Sequence, residues 1–178
     1  ITRSAPRPAV TSLTRCTTIG GGGKTPTLSV RYEERLDFSG GAAVVAKHLR
    51  AAGAEVTFST VLGDDPLKDF VLEDMQASGV VCHPIVDRTR PTTHKNAVIA
   101  DGYRLLKIDT LDNRTISEHA LKHLCQALRE VPCDVVVFCD FRHGIFNRHT
   151  VPELTAAIPP GALRVADSQV ASRWGNIL

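Results

Sequence analysis

The sequence lacks a large excess of charge of either sign. Its 178 residues contain 21 Lys and Arg against 19 Asp and Glu, a net charge of +2. A charge this small argues against a nucleic-acid partner and against an anionic membrane surface. The sequence also lacks a signal peptide and any apolar run long enough to span a bilayer. These absences lead us to expect a cytoplasmic protein without a membrane or nucleic-acid partner.

Paired cysteine motifs and a metal-ligand set are also missing. None of the five cysteines forms a Cys-x-x-Cys pair, so we expect reduced, mostly buried thiols. Among the seven histidines, only His119 and His123 have the i, i+4 spacing of a bidentate site. No Glu or Cys pattern accompanies them, and a solvated surface pair is the favoured interpretation. The sequence therefore predicts no metal site.

Three sequence motifs of common enzymes are absent. There is no Gly-x-Ser-x-Gly nucleophile elbow and no Gly-x-Gly-x-x-Gly dinucleotide motif. A glycine run ends at Gly23-Lys24, but a phosphate-binding loop needs glycine at the position of Thr18. Residues 1–24 show little periodicity and are interrupted by Pro6 and Pro8. We therefore expect a disordered segment over 1–24 and a folded domain over 25–178.

The clearest pattern in the chain begins at a glycine pair, Gly40-Gly41. Apolar residues at i, i+3, i+4 and i+7 from Ala42 predict an amphipathic helix, which Gly53 ends. Residues 55–61 then read as a strand that runs into Gly63-Asp64-Asp65. Glycines at a helix start allow a ligand to approach backbone N–H groups.

The rest of the chain continues to alternate strands and helices. Residues 80–86 predict a strand near a sheet edge because it contains Pro84, and the apolar run 134–139 predicts a central parallel strand. Thr115-x-x-Glu118 has the pattern of a capping box at a helix start. Asp101-Gly102 predicts a hairpin turn within 92–109. The expected fold is α/β, with a mostly parallel sheet, helices on both faces and a small antiparallel hairpin.

Three carboxylates follow predicted strands, namely Asp65, Asp140 and Asp167. Strand ends converge on one crevice in a doubly wound sheet, so these side chains are candidates for orienting sugar hydroxyls or Mg²⁺. Acidic residues at such positions are also ordinary turn and N-cap residues, and this second interpretation stays open.

The stretch Gly40-Gly41-Ala42 to Ala46, followed by Gly53, Gly63 and Asp65, resembles the ribokinase-type (phosphofructokinase-B type) sugar kinases. The nearest likeness is to the branch that phosphorylates heptose phosphates. Val44 departs from the pattern, since the family usually has an asparagine there that holds sugar hydroxyls. The resemblance implies a ribokinase-like fold in which sugar is bound by Gly40, Gly41, Asp65 and Asp140, while Asp167 lies near the nucleotide.

In that family the hairpin belongs to a β-lid, which covers the sugar and also forms homodimers. Residues 90–95 resemble the Pro-Thr-x-x-Lys stretch of the heptose kinases, which implies that Arg90 and Lys95 meet a phosphate on the substrate. An exposed hairpin with incidental charge is the alternative interpretation.

The resemblance also implies ATP and Mg²⁺ as cofactors and a catalytic base in a Gly-Ala-Gly-Asp motif. That motif does not occur in these 178 residues, so no catalytic residue is assigned and the chain resembles a partial kinase whose C-terminal half is missing. Two functions stay open. The chain is either the substrate-binding part of a carbohydrate kinase or a non-catalytic homologue that binds a sugar phosphate or forms dimers.

Overall fold

The described part of the chain forms two β-sheets, with four helices around the larger one. The computed structural model describes residues 2–4, 8–21 and 28–168. The strands have the following bounds: β1 Thr2–Ser4, β2 Pro8–Gly21, β3 Leu28–Gly41, β4 Val56–Leu62, β5 Val81–Val86, β6 His94–Ala100, β7 Tyr103–Thr110, β8 Val135–Asp140 and β9 Leu163–Ser168. The helices are α1 Ala42–Ala51, α2 Pro66–Ala77, α3 Glu118–Glu130 and α4 Thr150–Ala156. No helix in the described part of the chain is long and apolar enough to cross a membrane.

The larger sheet is parallel throughout, with strand order β5-β4-β1-β8-β9. The predicted edge position of β5 is confirmed, and so is the interior position of β8. Pro84 is tolerated in β5 because an edge strand needs hydrogen-bond partners on one side only.

Helices pack on both faces of this sheet, as predicted. On β8, Val136 and Phe138 point into the core formed with α3 and α4, whereas Val137 and Cys139 point into the core formed with α1 and α2. Successive strand residues face opposite sides, so a strand covered on both sides must be apolar at every position. This requirement explains the continuous apolar run in the sequence.

The second sheet has the strand order β3-β2-β6-β7 and forms the lid. The predicted hairpin is confirmed as β6 and β7, and the turn residues Asp101 and Gly102 have positive φ values of 49° and 81°. The lid is larger than expected, because the long antiparallel pair β2 and β3 adds to the hairpin, with β2 parallel to β6.

The expectation of disorder over residues 1–24 is wrong for the described part of that segment. β1 pairs between β4 and β8 in the parallel sheet, and β2 pairs with β3 along most of its length. The hydrogen-bond partners of β1 and β2 are distant in sequence, so the local sequence pattern gave little indication of these strands. The run Gly22–Lys24 and the end of the chain after Ser168 lie outside the described residues.

The start of α3 also differs from the prediction. Ser117, not Thr115, caps the helix, and its Oγ accepts a hydrogen bond from the Ala120 N–H at 3.2 Å. Thr115 Oγ1 instead accepts a hydrogen bond from Asn147 Nδ2. Both residues are capping types, and only the backbone path decided between them.

Candidate functional site

A cleft of about 560 Å³ lies between the lid and the N-terminal end of α2. One wall comes from lid strands and the other from α2 and the segment that precedes β6. The lining residues are Arg35, Asp37, Asp65, Pro66, Leu67, Phe70, Pro91, Thr92, His94 and Thr110. The cleft therefore combines an apolar floor with two basic and two acidic side chains.

A hydrogen-bonded network joins three lid strands at this cleft. Ser12 on β2 is fully buried and donates its hydroxyl to Asp37 on β3. Ser12 Oγ also lies 2.7 Å from His94 Nε2 on β6, and Arg35 Nε donates to Asp37 Oδ1 at 2.8 Å. The four side chains lie on one face of the lid, as the pairing of Ser12 with Asp37 and of Val10 with His94 requires.

The network fixes the tautomer of His94. An ionised Asp37 only accepts hydrogen bonds, so the single Ser12 proton goes to Asp37 and Ser12 Oγ accepts from His94. Nε2 therefore carries the proton in the neutral ring, and Nδ1 is the nitrogen that gains one on protonation. Burial, and next the Arg35 cation, lower the pKa of His94, while Asp37, Asp109 and Asp65 act in the opposite direction.

Asp65 forms the opposite wall of the cleft. Its Oδ1 accepts a hydrogen bond from Lys68 N at 3.2 Å as the N-cap of α2, and its Oδ2 accepts from Thr92 N at 2.7 Å. Both carboxylate oxygens therefore bind backbone donors. Gly63 N donates a hydrogen bond to Thr92 Oγ1 at 3.0 Å and so also joins the turn between β4 and α2 to the Thr92 segment. Asp65 therefore lines the cleft and also has a structural role, and its contact with a sugar stays a prediction.

Arg90 does not face the cleft, which corrects its expected role in phosphate binding. It is buried, and its Nε lies 2.9 Å from Asp87 Oδ2 in an ion pair. Its terminal nitrogens donate to the backbone carbonyls of Arg114 and Thr115. A guanidinium ties two loops together here, because it has five donors in a fixed plane.

Lys95 lies on the other face of the lid from the cleft. It follows His94 directly in β6 and is paired with Thr11, whereas the cleft residues His94 and Thr110 are paired with each other. Successive residues in a strand point to opposite faces, so one cleft cannot take both His94 and Lys95. The expected contact between Lys95 and the substrate is therefore not supported by the lid geometry.

The glycine pair marks the junction of β3 and α1. Gly41 is the N-cap residue of α1 and has a φ of 57°, which favours glycine. A Cβ on Gly40 would lie 2.8 Å from Thr11 Oγ1 and 3.0 Å from Ala9 O, so glycine allows close pairing of β2 and β3. Neither glycine lines the cleft described above.

Asp140 and Asp167 lie farther along the same edge of the parallel sheet. Asp140 is buried, and it accepts hydrogen bonds from Arg142 N at 2.7 Å and Ser168 Oγ at 2.9 Å. Asp167 is exposed on β9. Since β1 separates β4 from β8, Asp140 and Asp65 follow strands about 10 Å apart. The structure therefore does not gather the three carboxylates in the lid cleft.

The sequence analysis did not identify Ser12, Arg35, Asp37 or His94. Arg35 and Asp37 are two residues apart, the spacing of one strand face, and this was the only local signal. Ser12 lay in the segment expected to be disordered. The site depends on the register of β2 with β3 and β6, which the sequence does not display.

Residues 27–139 match the family model described as pfkB family carbohydrate kinase. The chain belongs to the pfkB family of carbohydrate kinases. More than half of the chain falls within the match, including the glycine pair, the start of α2 and the lid hairpin.

Relatives of this pfkB-family chain include one protein with heptose in its name. It is 31% identical over 134 residues to the bifunctional protein HldE of Desulfatibacillum aliphaticivorans, covering 74% of this chain and 27% of that protein. It is 32% identical over 133 residues to the D-beta-D-heptose 7-phosphate kinase of Bordetella bronchiseptica, covering 70% of this chain and 40% of that protein. The chain thus spans well under half the length of each relative.

Solved structures share the fold of this pfkB-family chain. The tetrameric inhibited form of phosphofructokinase-2 from Escherichia coli superposes with a TM-score of 0.71 at 16% identity, covering 94% of this chain and 54% of that one. The same enzyme in complex with fructose-6-phosphate gives a TM-score of 0.72 at 15% identity, covering 99% and 58%. This likeness establishes the ribokinase-like α/β fold.

Proposed function

We propose that this chain is the sugar-binding part of a carbohydrate kinase, with a sugar phosphate bound in the cleft beneath the lid. The observation that carries the proposal is the polar cleft itself, formed by the lid in a chain of the pfkB family. Its volume of about 560 Å³ lies within the usual range for small-molecule sites. The heptose 7-phosphate kinase relative supports a heptose phosphate as the substrate.

The cleft offers the two kinds of contact that a sugar needs. Asp37 and Asp65 supply carboxylate oxygens that can accept hydrogen bonds from hydroxyl groups, and Thr92 and Thr110 add hydroxyls. Leu67 and Phe70 supply an apolar surface for the C–H face of a sugar ring. The lid strands supply one wall of the cleft.

The described residues do not by themselves supply a site for Mg²⁺. No three His, Cys, Asp or Glu side chains among residues 2–4, 8–21 and 28–168 are placed to hold a metal ion. We therefore assign this chain the positioning of the sugar and derive no step of phosphate transfer from its residues.

A non-catalytic sugar-phosphate-binding homologue is the alternative. The family match favours the kinase over this alternative. Both functions include the binding of a sugar phosphate. They differ in whether a catalytic half accompanies this chain. Sequencing the flanking DNA separates them, since a downstream reading frame with Gly-Ala-Gly-Asp indicates a kinase.

Calorimetric titration with hexose and heptose phosphates tests binding in the cleft. We expect Thr110→Trp, which fills the cleft from β7, to abolish binding, and the matched control Lys107→Trp to leave it intact. Lys107 pairs with Ala97 on the other face of the same hairpin. Loss of binding in both variants, or no binding by the wild type, contradicts the proposed site.

An assay of ADP release with ATP, Mg²⁺ and the same sugars tests the assignment of roles. We expect no turnover, because phosphoryl transfer depends on a positioned base, metal and γ-phosphate. Turnover near a typical kinase rate, on the order of 1 per second or more, would show that this chain contains a complete catalytic site.

We also infer that two copies pair through their lids. Every residue of β7 is exposed, and Leu106 and Ile108, at 55% and 48% exposure, lie on the same face as the cleft residues. Exposed apolar side chains in a row favour burial against a second protein surface. A second copy supplies a surface with the same pattern.

A further inference from the structure

We propose that Arg35 and His94 bind the phosphate group of the substrate, in place of the expected Arg90 and Lys95. This inference rests on the proposed function, because it names the anion-binding part of the same cleft. It also assigns to His94 a proton that is taken up when the substrate binds.

Two of the four candidate basic side chains line the cleft. Arg35 and His94 are the basic residues among those that line the cleft. Arg90 is buried, and its guanidinium holds Asp87 and two loop carbonyls. Lys95 belongs to the other face of the lid. Of these four residues, only Arg35 and His94 can therefore reach a phosphate in the cleft.

The acidic residues of the cleft, Asp37 and Asp65, would repel an anion if no donors compensated their charge. Asp37 accepts hydrogen bonds from Ser12 and from Arg35 Nε. Asp65 accepts from the backbone N–H groups of Lys68 and Thr92. Donors thus compensate both carboxylates. The bond to Asp37 uses only Nε of Arg35, so the terminal nitrogens of the guanidinium lie outside it.

The protonation state of His94 determines whether its Nδ1 repels or binds a phosphate. Its Nε2–H points to Ser12 Oγ at 2.7 Å, so the neutral ring presents Nδ1 as an acceptor, which repels a phosphate oxygen. Protonation converts Nδ1 into a charged donor. The charged groups that act on His94 are Arg35 and Asp37 on β3 and Asp65 at the start of α2, which line the same cleft, and Asp109 on β7, which pairs with Lys95 on the other face of the lid. A bound dianion adds negative charge to this set and raises the pKa of His94, so binding takes up a proton.

Calorimetric titration of each sugar phosphate beside its neutral sugar measures the contribution of the two residues. We expect Arg35→Gln and His94→Gln each to weaken phosphate-ester binding by about 10- to 100-fold, the range of a charge-assisted hydrogen bond. Binding of the neutral sugar should change by less than about threefold. The matched control is Lys95→Gln, which removes a cation from the opposite face of β6 and should leave both affinities unchanged.

Proton uptake provides a readout that a merely structural role would not change. Near pH 8 the phosphate ester is already a dianion, because its second pKa is about 6, and free His94 is neutral. Titration in buffers of different ionisation enthalpy should show net proton uptake by the wild type and by Lys95→Gln, and none by His94→Gln. Neutral sugars should give no uptake. Thermal unfolding of each variant verifies that it is folded, and Arg35→Lys retains the charge if Arg35→Gln proves unstable.

The outcomes separate this inference from the proposed function. No binding of phosphorylated or neutral sugars by the folded chain contradicts the proposed function itself. Binding of sugar phosphates with equal affinity in wild type, Arg35→Gln and His94→Gln leaves the cleft intact and overturns the phosphate assignment. A selective loss in Lys95→Gln also overturns it and places the phosphate on the other face of the lid.

Discussion

Replacing Gly63 by alanine should destabilise the contact between the β4–α2 turn and the segment of Thr92, which lines the cleft. Gly63 directly precedes the Asp64-Asp65 pair, and a Cβ added there would lie 2.5 Å from Thr92 N, 2.7 Å from Arg90 O and 2.7 Å from Asp65 Oδ2. Two of these contacts are backbone atoms that cannot rotate away. Ordinary carbon contacts are about 3.5–4.0 Å, so the segment carrying Thr92 must retreat by about 1 Å.

That movement breaks two hydrogen bonds. One runs from Thr92 N to Asp65 Oδ2 at 2.7 Å and involves a charged acceptor, and the other runs from Gly63 N to Thr92 Oγ1 at 3.0 Å. Hydrogen bonds to charged groups contribute about 1.5–3 kcal/mol and neutral ones about 0.5–1.5 kcal/mol. The free energy of unfolding should therefore fall by about 2–4.5 kcal/mol.

Urea denaturation of wild type and variant measures this loss from the change in midpoint at constant slope. Gly53→Ala is the matched control, because its φ is 96° but no atom lies within 4 Å of the added Cβ. It should cost only the backbone strain, about 1 kcal/mol. If Gly63→Ala loses no more stability than Gly53→Ala, the close approach of the Thr92 segment does not stabilise the protein and the reasoning fails.

The pH dependence of stability and the state of association provide two more predictions. Burial, then Arg35, lower the pKa of His94 in the folded chain, so near its ordinary value of about 6.5 the unfolded chain binds more protons. Titration of His94 should therefore leave the free energy of unfolding unchanged above that pH. Below it, the free energy of unfolding should fall as the pH approaches the pKa of His94 in the folded chain. Urea denaturation should show a shallower fall for His94→Gln, and equal slopes would contradict the assignment. For the lid, Leu106→Ser with Ile108→Ser should shift a dimer to monomer in light scattering, whereas Lys107→Ser should not. A wild-type chain that is monomeric at high concentration would contradict pairing.

The elements of the parallel sheet could be predicted because their signals are local. The apolar run of β8 reflects burial on both faces, and the helix after Gly41 shows the period expected for one buried face. The hairpin turn was evident because Asp101 and Gly102 tolerate positive φ. The glycine pair and Gly63 identified the family from the same kind of evidence.

The roles of individual site residues were harder to predict from the sequence. Arg90 and Lys95 are both cationic and close to the lid in sequence, yet one is buried in an ion pair and the other lies on the face away from the cleft. Residue type and spacing do not distinguish a charge that binds a ligand from one that joins two loops. Arg90 joins two loops because the fold brings the carbonyls of Arg114 and Thr115 within hydrogen-bonding distance of its guanidinium.

By itself, the sequence determined the α/β class, the parallel central strand and the junction at Gly40-Gly41, because backbone preferences and hydrophobic periods act over a few residues. Tertiary structure alone decided that Ser12, Asp37 and His94 meet. These three side chains belong to separate strands, and Ser12 is 25 positions from Asp37 and 82 positions from His94 in the sequence. Only strand register brings such positions within hydrogen-bonding distance, and a shift of one residue would turn each side chain to the other face of the lid.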